Sequence, residues 1–288
     1  MPSESDWILH APFQFDRSLI RNNLLYQLSR DAGRYAPRTQ FVEHFHSTAD
    51  AIVNGAISGP DYFGVYSFME KIDRDGDRVD VEKLSLLDNS EPDISGGYIL
   101  KIDRLDAGDS GLSAANQLLG LVYPKERSPN PALMASTPQK IWLQNYLNSM
   151  WSALNAPDFW KPDSGYARFI DPAAAIDHHL LNTSAKNVDA LRLSAYFHKP
   201  RSARLSPGPV WDFDRSMGSA DGRDLNPRSW RGEGGDLGTD FFHYPWYAEL
   251  FRDSNFWQAW IDRLDILRNG PLHTTRIHAL IDQLAAEL

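Results

Sequence analysis

The segment GPVWDFDRSMGS, residues 208–219, sets two carboxylates, Asp212 and Asp214, on either side of Phe213 behind an apolar run. An extended stretch carrying Val210, Trp211 and Phe213 tends to bury itself, and burying an unpaired carboxylate costs on the order of several kcal/mol. A positive group must therefore stand nearby. A salt-bridging Arg or Lys meets that need as a structural device and a divalent metal meets it as a functional one; the segment alone leaves both open. Upstream, KNVD at 186–189 puts another acid, Asp189, in a polar break after an apolar helical pattern.

These acids need elements to carry them. Asp16 is a plausible cap for a helix over 16–30, where Leu19, Ile20, Asn23, Leu24 and Tyr26 to Leu28 recur near helical spacing. The aromatic and β-branched runs 38–47 and 61–73, split by the breakers Asn54-Gly55 and Gly59-Pro60, predict an antiparallel pair, and GGYILKID (96–103) a third strand. Thr137-Pro138 opens a helix through Leu143, Leu147 and Leu154, and Asp171-Pro172 opens a second that runs out at TSAKNVDA. Strands follow at 193–199 and 209–213, then a long loop over 219–240 and helical periodicity from Trp246 to Leu288. The fold class is α+β: a helix and a small sheet in 1–126, a mostly helical part in 127–288.

A helix, a polar loop with one acid, a short hairpin and a strand end with another acid form the order that protein-kinase-type phosphoryl transfer requires. One Asp orients the attacking hydroxyl and accepts its proton; the second holds magnesium against the phosphates. The hairpin makes them converge, and the span from Asp189 to Asp212 fits two short strands of about five or six residues and a turn.

Composition narrows the alternatives. With 288 residues, 42% of them hydrophobic, the chain can build a sizeable core. A net charge of -9 argues against a nucleic-acid or anionic-membrane partner. No cysteine is present, so thiol catalysis, disulfides and Cys-based metal sites are excluded. No signal-peptide pattern opens the sequence and no apolar run of about 18 residues occurs, so a soluble chain is expected, with no compartment indicated. DRDGDRVDVE (73–82) imitates a calcium loop but has Arg78 where glycine is needed and Leu84 where the bidentate acid belongs. His44 and His46 share a strand face without a third ligand, and His178 and His179 diverge by about 100° on a helix and read as packing residues.

The runs DWILHAPFQFDRSLIRNNLLYQLSRDAGRYAPRTQFVEHF, GVYSFMEKIDRDGDRVD, GGYILKID, KNVDALRLSAYFHK and GPVWDFDRSMG resemble the spore-coat protein H (CotH) kinase family, and the likeness continues to WYAELFRDSNFWQAWIDRLDILRNGPL. The resemblance implies an atypical protein-kinase-like bilobal fold, with small lobe 1–126 and large lobe 127–288. It further implies use of ATP with Mg2+ or Mn2+ to phosphorylate Ser or Thr hydroxyls of a protein, in a spore-coat setting. By position, Asp189 resembles the catalytic-loop aspartate and Asp212 the metal-binding one, with Asn187 assisting at the metal. Glu70, Lys71 and Ile72 resemble the lobe-joining segment beside adenine, and Trp211 is placed to stack on the nucleotide. Asp214 is expected to pair with Arg192, Arg204 or Arg215. Relatives carry an upstream Arg-Gly pair and a Pro-Lys-Lys run that supply part of the small lobe and a phosphate-contacting lysine. That stretch is expected to be missing here, leaving a truncated small lobe in which Lys71 or Lys101 substitutes. The alternative is a non-catalytic kinase-like scaffold or binding module of a coat or surface assembly.

Overall fold

The computed structural model describes residues 6–46, 62–229 and 240–288. Among them are two antiparallel sheets and six α-helices, an α+β arrangement. The first sheet has strand order β1-β3-β2, from β1 (Trp7–His10), β2 (Thr39–Phe45) and β3 (Tyr62–Glu70). The Asn54-Gly55 and Gly59-Pro60 breakers lie outside the described residues. Strand β1 is not predicted by periodicity; it is held by pairing with β3, Trp7 opposite Glu70, and by Trp7 stacked on Phe68 at 4.8 Å.

Helix α1 (Arg21–Asp31) starts five residues later than the Asp16 cap predicts. Asp16 does cap, but it caps a turn: its carboxylate accepts from the backbone N–H groups of Ser18, Leu19 and Arg21. Leu19 sits at φ 66, a left-handed conformation that no helix continues through. The helix buries polar side chains as well as Leu24, Leu25 and Leu28. Asn23 Oδ1 accepts from Ser67 of β3 at 2.8 Å, and Asn22 bonds His10 of β1 at 3.1 Å, fixing the helix to the sheet.

The second sheet runs β5-β6-β4-β7-β8, with β4 (Tyr98–Ile102), β5 (Leu112–Ala114), β6 (Gln117–Tyr123), β7 (Ala195–Lys199) and β8 (Ser206–Pro207). It draws strands from both sides of residue 126. Helix α2 (Thr137–Leu154) begins at a capping box between Ser136 and Gln139, and α3 (Pro172–Ser184) at Asp171, whose carboxylate accepts from the Ala173 and Ala174 amides. Helices α4 (Tyr247–Leu250), α5 (Ser254–Arg268) and α6 (Thr274–Ala286) complete the chain. The main core packs Ile99, Leu100, Leu119 and Phe197 of this sheet against Leu143, Leu147, Ile176 and Trp260 of the helices. A smaller core joins α1 and α6 to Val210 and Phe213.

The strand expected over 209–213 does not form. The ladder stops at Pro207, and Asp212 adopts φ 58, which breaks an extended run. The amides a strand would have used are met by α1 instead: Asp212 N–H donates to the Tyr26 hydroxyl (3.1 Å) and Phe213 N–H to Asn22 Oδ1 (2.6 Å).

Candidate active site

Asp189 lies in the loop between α3 and β7. Three non-glycine residues there, Lys186, Leu191 and Ser194, take positive φ, so the loop is tightly wound. It is pinned to the segment after Asp214 by Val188 N–H to Arg215 O and Met217 N–H to Ala185 O. The Asp189 carboxylate is partly exposed and meets three guanidiniums: Arg223 at 2.9 Å, Arg192 at 3.3 Å and Arg215 at 3.4 Å.

Asp212 is held through its backbone from two sides. Tyr26 receives its N–H, and the Asn187 side-chain amide donates to its carbonyl at 2.8 Å. Asn187 is fully buried; its Nδ2 also reaches Asn182 Oδ1 at 3.3 Å, while its Oδ1 has no partner. Ser194 Oγ stands 3.5 Å from Asp212 Oδ2. The turn at Asp212 sets the Asp214 carboxyl beside that of Asp212; burial, then the Asp212 charge and the contact with it, raise Asp214, while the charge of Arg215, one of its expected partners, works against them. Burial, with a contribution from Asp212, also raises Asp103 at the end of β4.

The remaining sequence-predicted residues fall into two groups. Lys101 on β4 faces Tyr196 of β7 across the sheet register and pairs with Asp106 at 2.8 Å, and the charge of Lys71 also reaches Asp106. Trp211 stacks on Tyr26 at 5.9 Å and meets the edge of Tyr196 at 5.9 Å. Glu70 and Ile72 are occupied internally. Ile72 is in the main core; the Glu70 carboxylate accepts from Arg38 Nε, the Arg38 backbone and the Tyr35 hydroxyl, and its own N–H donates to Arg38 O.

Sequence reasoning passes over Ser194, Tyr26, Asn22 and Arg223. Ser194 was reachable: kinase catalytic loops place a metal-binding Asn five residues after the aspartate, and that count from Asp189 lands on this serine. Asn22 was signalled by a polar residue on the apolar face of α1; nothing local marks Arg223.

The side-chain groups beside the Asp212 carboxyl are oxygen donors, the Asp214 carboxyl and the Ser194 hydroxyl at 3.5 Å. Among the described residues no group of three or more His, Asp or Glu side chains is arranged to hold a metal. Magnesium commonly takes only one or two carboxylates and completes its shell with water and substrate phosphates, so this donor chemistry fits such an ion.

An acid on a loop after a helix, facing a carboxylate pair after a short hairpin, is the arrangement of a kinase-like protein. The chain belongs to the CotH kinase family: the family model described as CotH kinase protein matches residues 1–288. No curated protein matches the chain. Among the described residues no helix is long and apolar enough to cross a membrane.

Proposed function

We propose that the chain transfers the terminal phosphoryl group of ATP to a Ser or Thr hydroxyl of a protein. The observation that carries this reading is the fastening of the Asp189 loop to Asp212 by the buried Asn187 amide, which keeps the two acids in one place. Asp189 accepts the proton of the attacking hydroxyl as its oxygen bonds to phosphorus and the bond to the ADP oxygen breaks. Asp212 and Asp214 would hold a magnesium or manganese ion, which neutralises charge on the phosphates when bound. Asn187 and Tyr26 orient Asp212 through its backbone. Lys101 and Lys71 supply positive charge on the nucleotide side, and Trp211 and Tyr196 present ring edges to the base. In this reading residues 1–126 contribute the small lobe and 127–288 the large one, with β4 to β6 joined to β7 in one sheet.

Asp189→Asn and Asp212→Asn should each lower phosphate incorporation into protein by about 10²- to 10⁴-fold, with an unchanged circular dichroism spectrum. A variant that keeps full activity would remove its residue from the reaction.

A second reading, a kinase-like scaffold in a coat or surface assembly, is favoured by two observations. Three arginines hold Asp189 as it stands, and Glu70, beside the expected adenine segment, is consumed by Arg38 and Tyr35. It predicts partner binding that does not depend on ATP or magnesium.

A further inference from the structure

Two successive amides of the turn that carries the acids are held by one face of α1. Tyr26 takes the Asp212 N–H, and Asn22, about one helical turn earlier, takes the Phe213 N–H at 2.6 Å. Phe213 stands between the two acids in sequence and is fully buried, and Asn22 is 2% exposed, so this second bond is shielded from water. Tyr26 is set by its ring contacts, stacked on Trp211 and edge-on to Phe213. Asn22 has no such guide, because the oxygen and nitrogen of its amide are nearly alike in size. Hydrogen bonding must decide which way round it sits.

A backbone N–H needs an oxygen, so Asn22 Oδ1 faces Phe213 and Nδ2 faces away. There it meets His10 Nε2 at 3.1 Å. An amide nitrogen only donates; Nε2 must therefore offer a lone pair, and the proton of the neutral imidazole sits on Nδ1. The groups around the ring agree with this state. β3 places neutral Ser67 opposite His10 and α1 supplies neutral Asn22. The charges that reach it are Asp212 of the acid pair and Asp16 of the turn before α1; both favour the imidazolium, and burial outweighs them, holding His10 below its ordinary range. A protonated ring would set an Nε2–H against the Asn22 Nδ2. Flipping Asn22 would satisfy the ring and turn Nδ2 on the Phe213 N–H, so either way one bond fails.

Resting on the reading of Asp212 and Asp214 as the cation site, we infer that His10 is a positioning residue for it. Neutral and protonated on Nδ1, its ring keeps the Asn22 amide the way round that anchors the Phe213 N–H, and that anchor holds the acid pair in place for a cation. A residue of β1, at the start of the described chain, thus acts on the acids through a side chain of α1.

The test uses the full chain. Nitrogen-15 NMR of the imidazole reads the tautomer, hydrogen exchange reads the Phe213 amide, and calorimetry with magnesium reads the site. At neutral pH the ring should be uncharged with Nε2 bare. As acid protonates it, protection of the Phe213 amide should fall in step by about tenfold, the scale of one hydrogen bond. His10→Leu removes the acceptor and should lose that protection at every pH, with magnesium affinity lowered about tenfold. His10→Gln, whose side-chain oxygen takes the place of Nε2 and does not titrate, should restore both and abolish the pH dependence. An Nε2–H tautomer at neutral pH, or Phe213 protection unchanged in His10→Leu or in the protonated native chain, overturns the proposal. Loss of protection in His10→Leu with native magnesium affinity overturns it too, and so does a lowered melting temperature as the sole effect, which would leave His10 as a tie between β1 and α1. If the native chain binds no magnesium while Phe213 protection follows His10 as expected, the relay stands and the cation-site reading falls.

Discussion

Glu70 and the Asp212–Asp214 pair are carboxylates drawn into the same molecule, and they are treated in opposite ways. Around Glu70 every need is met from within: Arg38 offers its fork and its backbone N–H, Tyr35 its hydroxyl, and the buried Arg78 stands 3.9 Å away. Around Asp212 the protein fixes the backbone with Tyr26 and Asn187 and leaves the carboxyl against a second carboxyl. Glu70, fully buried and saturated from within, is scaffold. A pair whose backbone is anchored while its carboxyls crowd each other is what the proposed cation site would require.

Breaking the saturated side should have the larger effect on stability. Glu70→Gln leaves Arg78 buried without its nearest counter-charge and takes the Arg38 pair away, which should cost about 3–5 kcal/mol in urea unfolding. Magnesium binding by the surviving folded protein should not change. An effect confined to metal binding, with stability untouched, would reverse the roles assigned to the two regions.

The scaffold side also has a pH signature. Burial holds His178 at about 4 and His179 at about 3, and His179 is surrounded by the Phe241 carbonyl, Thr183 and the Trp260 N–H. An unfolded chain protonates these rings near 6.5, so it binds more protons than the folded chain below that pH. Their contribution is complete above about pH 6.5 and is lost as pH falls toward 4 for His178 and toward 3 for His179, with a limit on the order of 3 to 5 kcal/mol per ring. Melting temperature measured from pH 8 to pH 4.5 should fall on the acid side, and His178→Asn should flatten the slope. A melting temperature independent of pH over this range would contradict the neutral, buried state of both rings.

The smallest effect expected is at Asp214. Asp214→Asn relieves the crowding at Asp212 but removes one anionic oxygen donor, so magnesium affinity should fall about tenfold while Asp212→Asn abolishes it. If Asp214→Asn binds magnesium as tightly as the native chain, Asp214 is not part of the cation site.

Much of this was legible in the sequence, for identifiable reasons. The helices at 137–154 and 172–184 are announced by their caps and their apolar spacing, and the matching runs from DWILHAPF to WDFD point to the family that the whole chain fits. Three features were hidden because they depend on contacts between distant residues. Strand β1 exists through its partner β3; the helix start moves from Asp16 to Arg21 because Leu19 turns left-handed; and residues 209–213 give up a ladder because Tyr26 and Asn22 take their amides. At the site, Asp189 and Asp212 are recognisable by type and order, whereas the arginines on Asp189 and the carboxyl contact between Asp212 and Asp214 arise from how the loops close.

Calorimetry of ATP binding, with and without magnesium, tests most directly whether the carboxylate pair is a cation site serving a nucleotide. The expected result is weak ATP binding that requires the metal. Asp212→Ala should erase the metal-dependent heat, and Glu70→Gln should keep it in the folded fraction. Tight ATP binding that is indifferent to magnesium, or no binding at millimolar nucleotide with the metal present, would contradict the assignment.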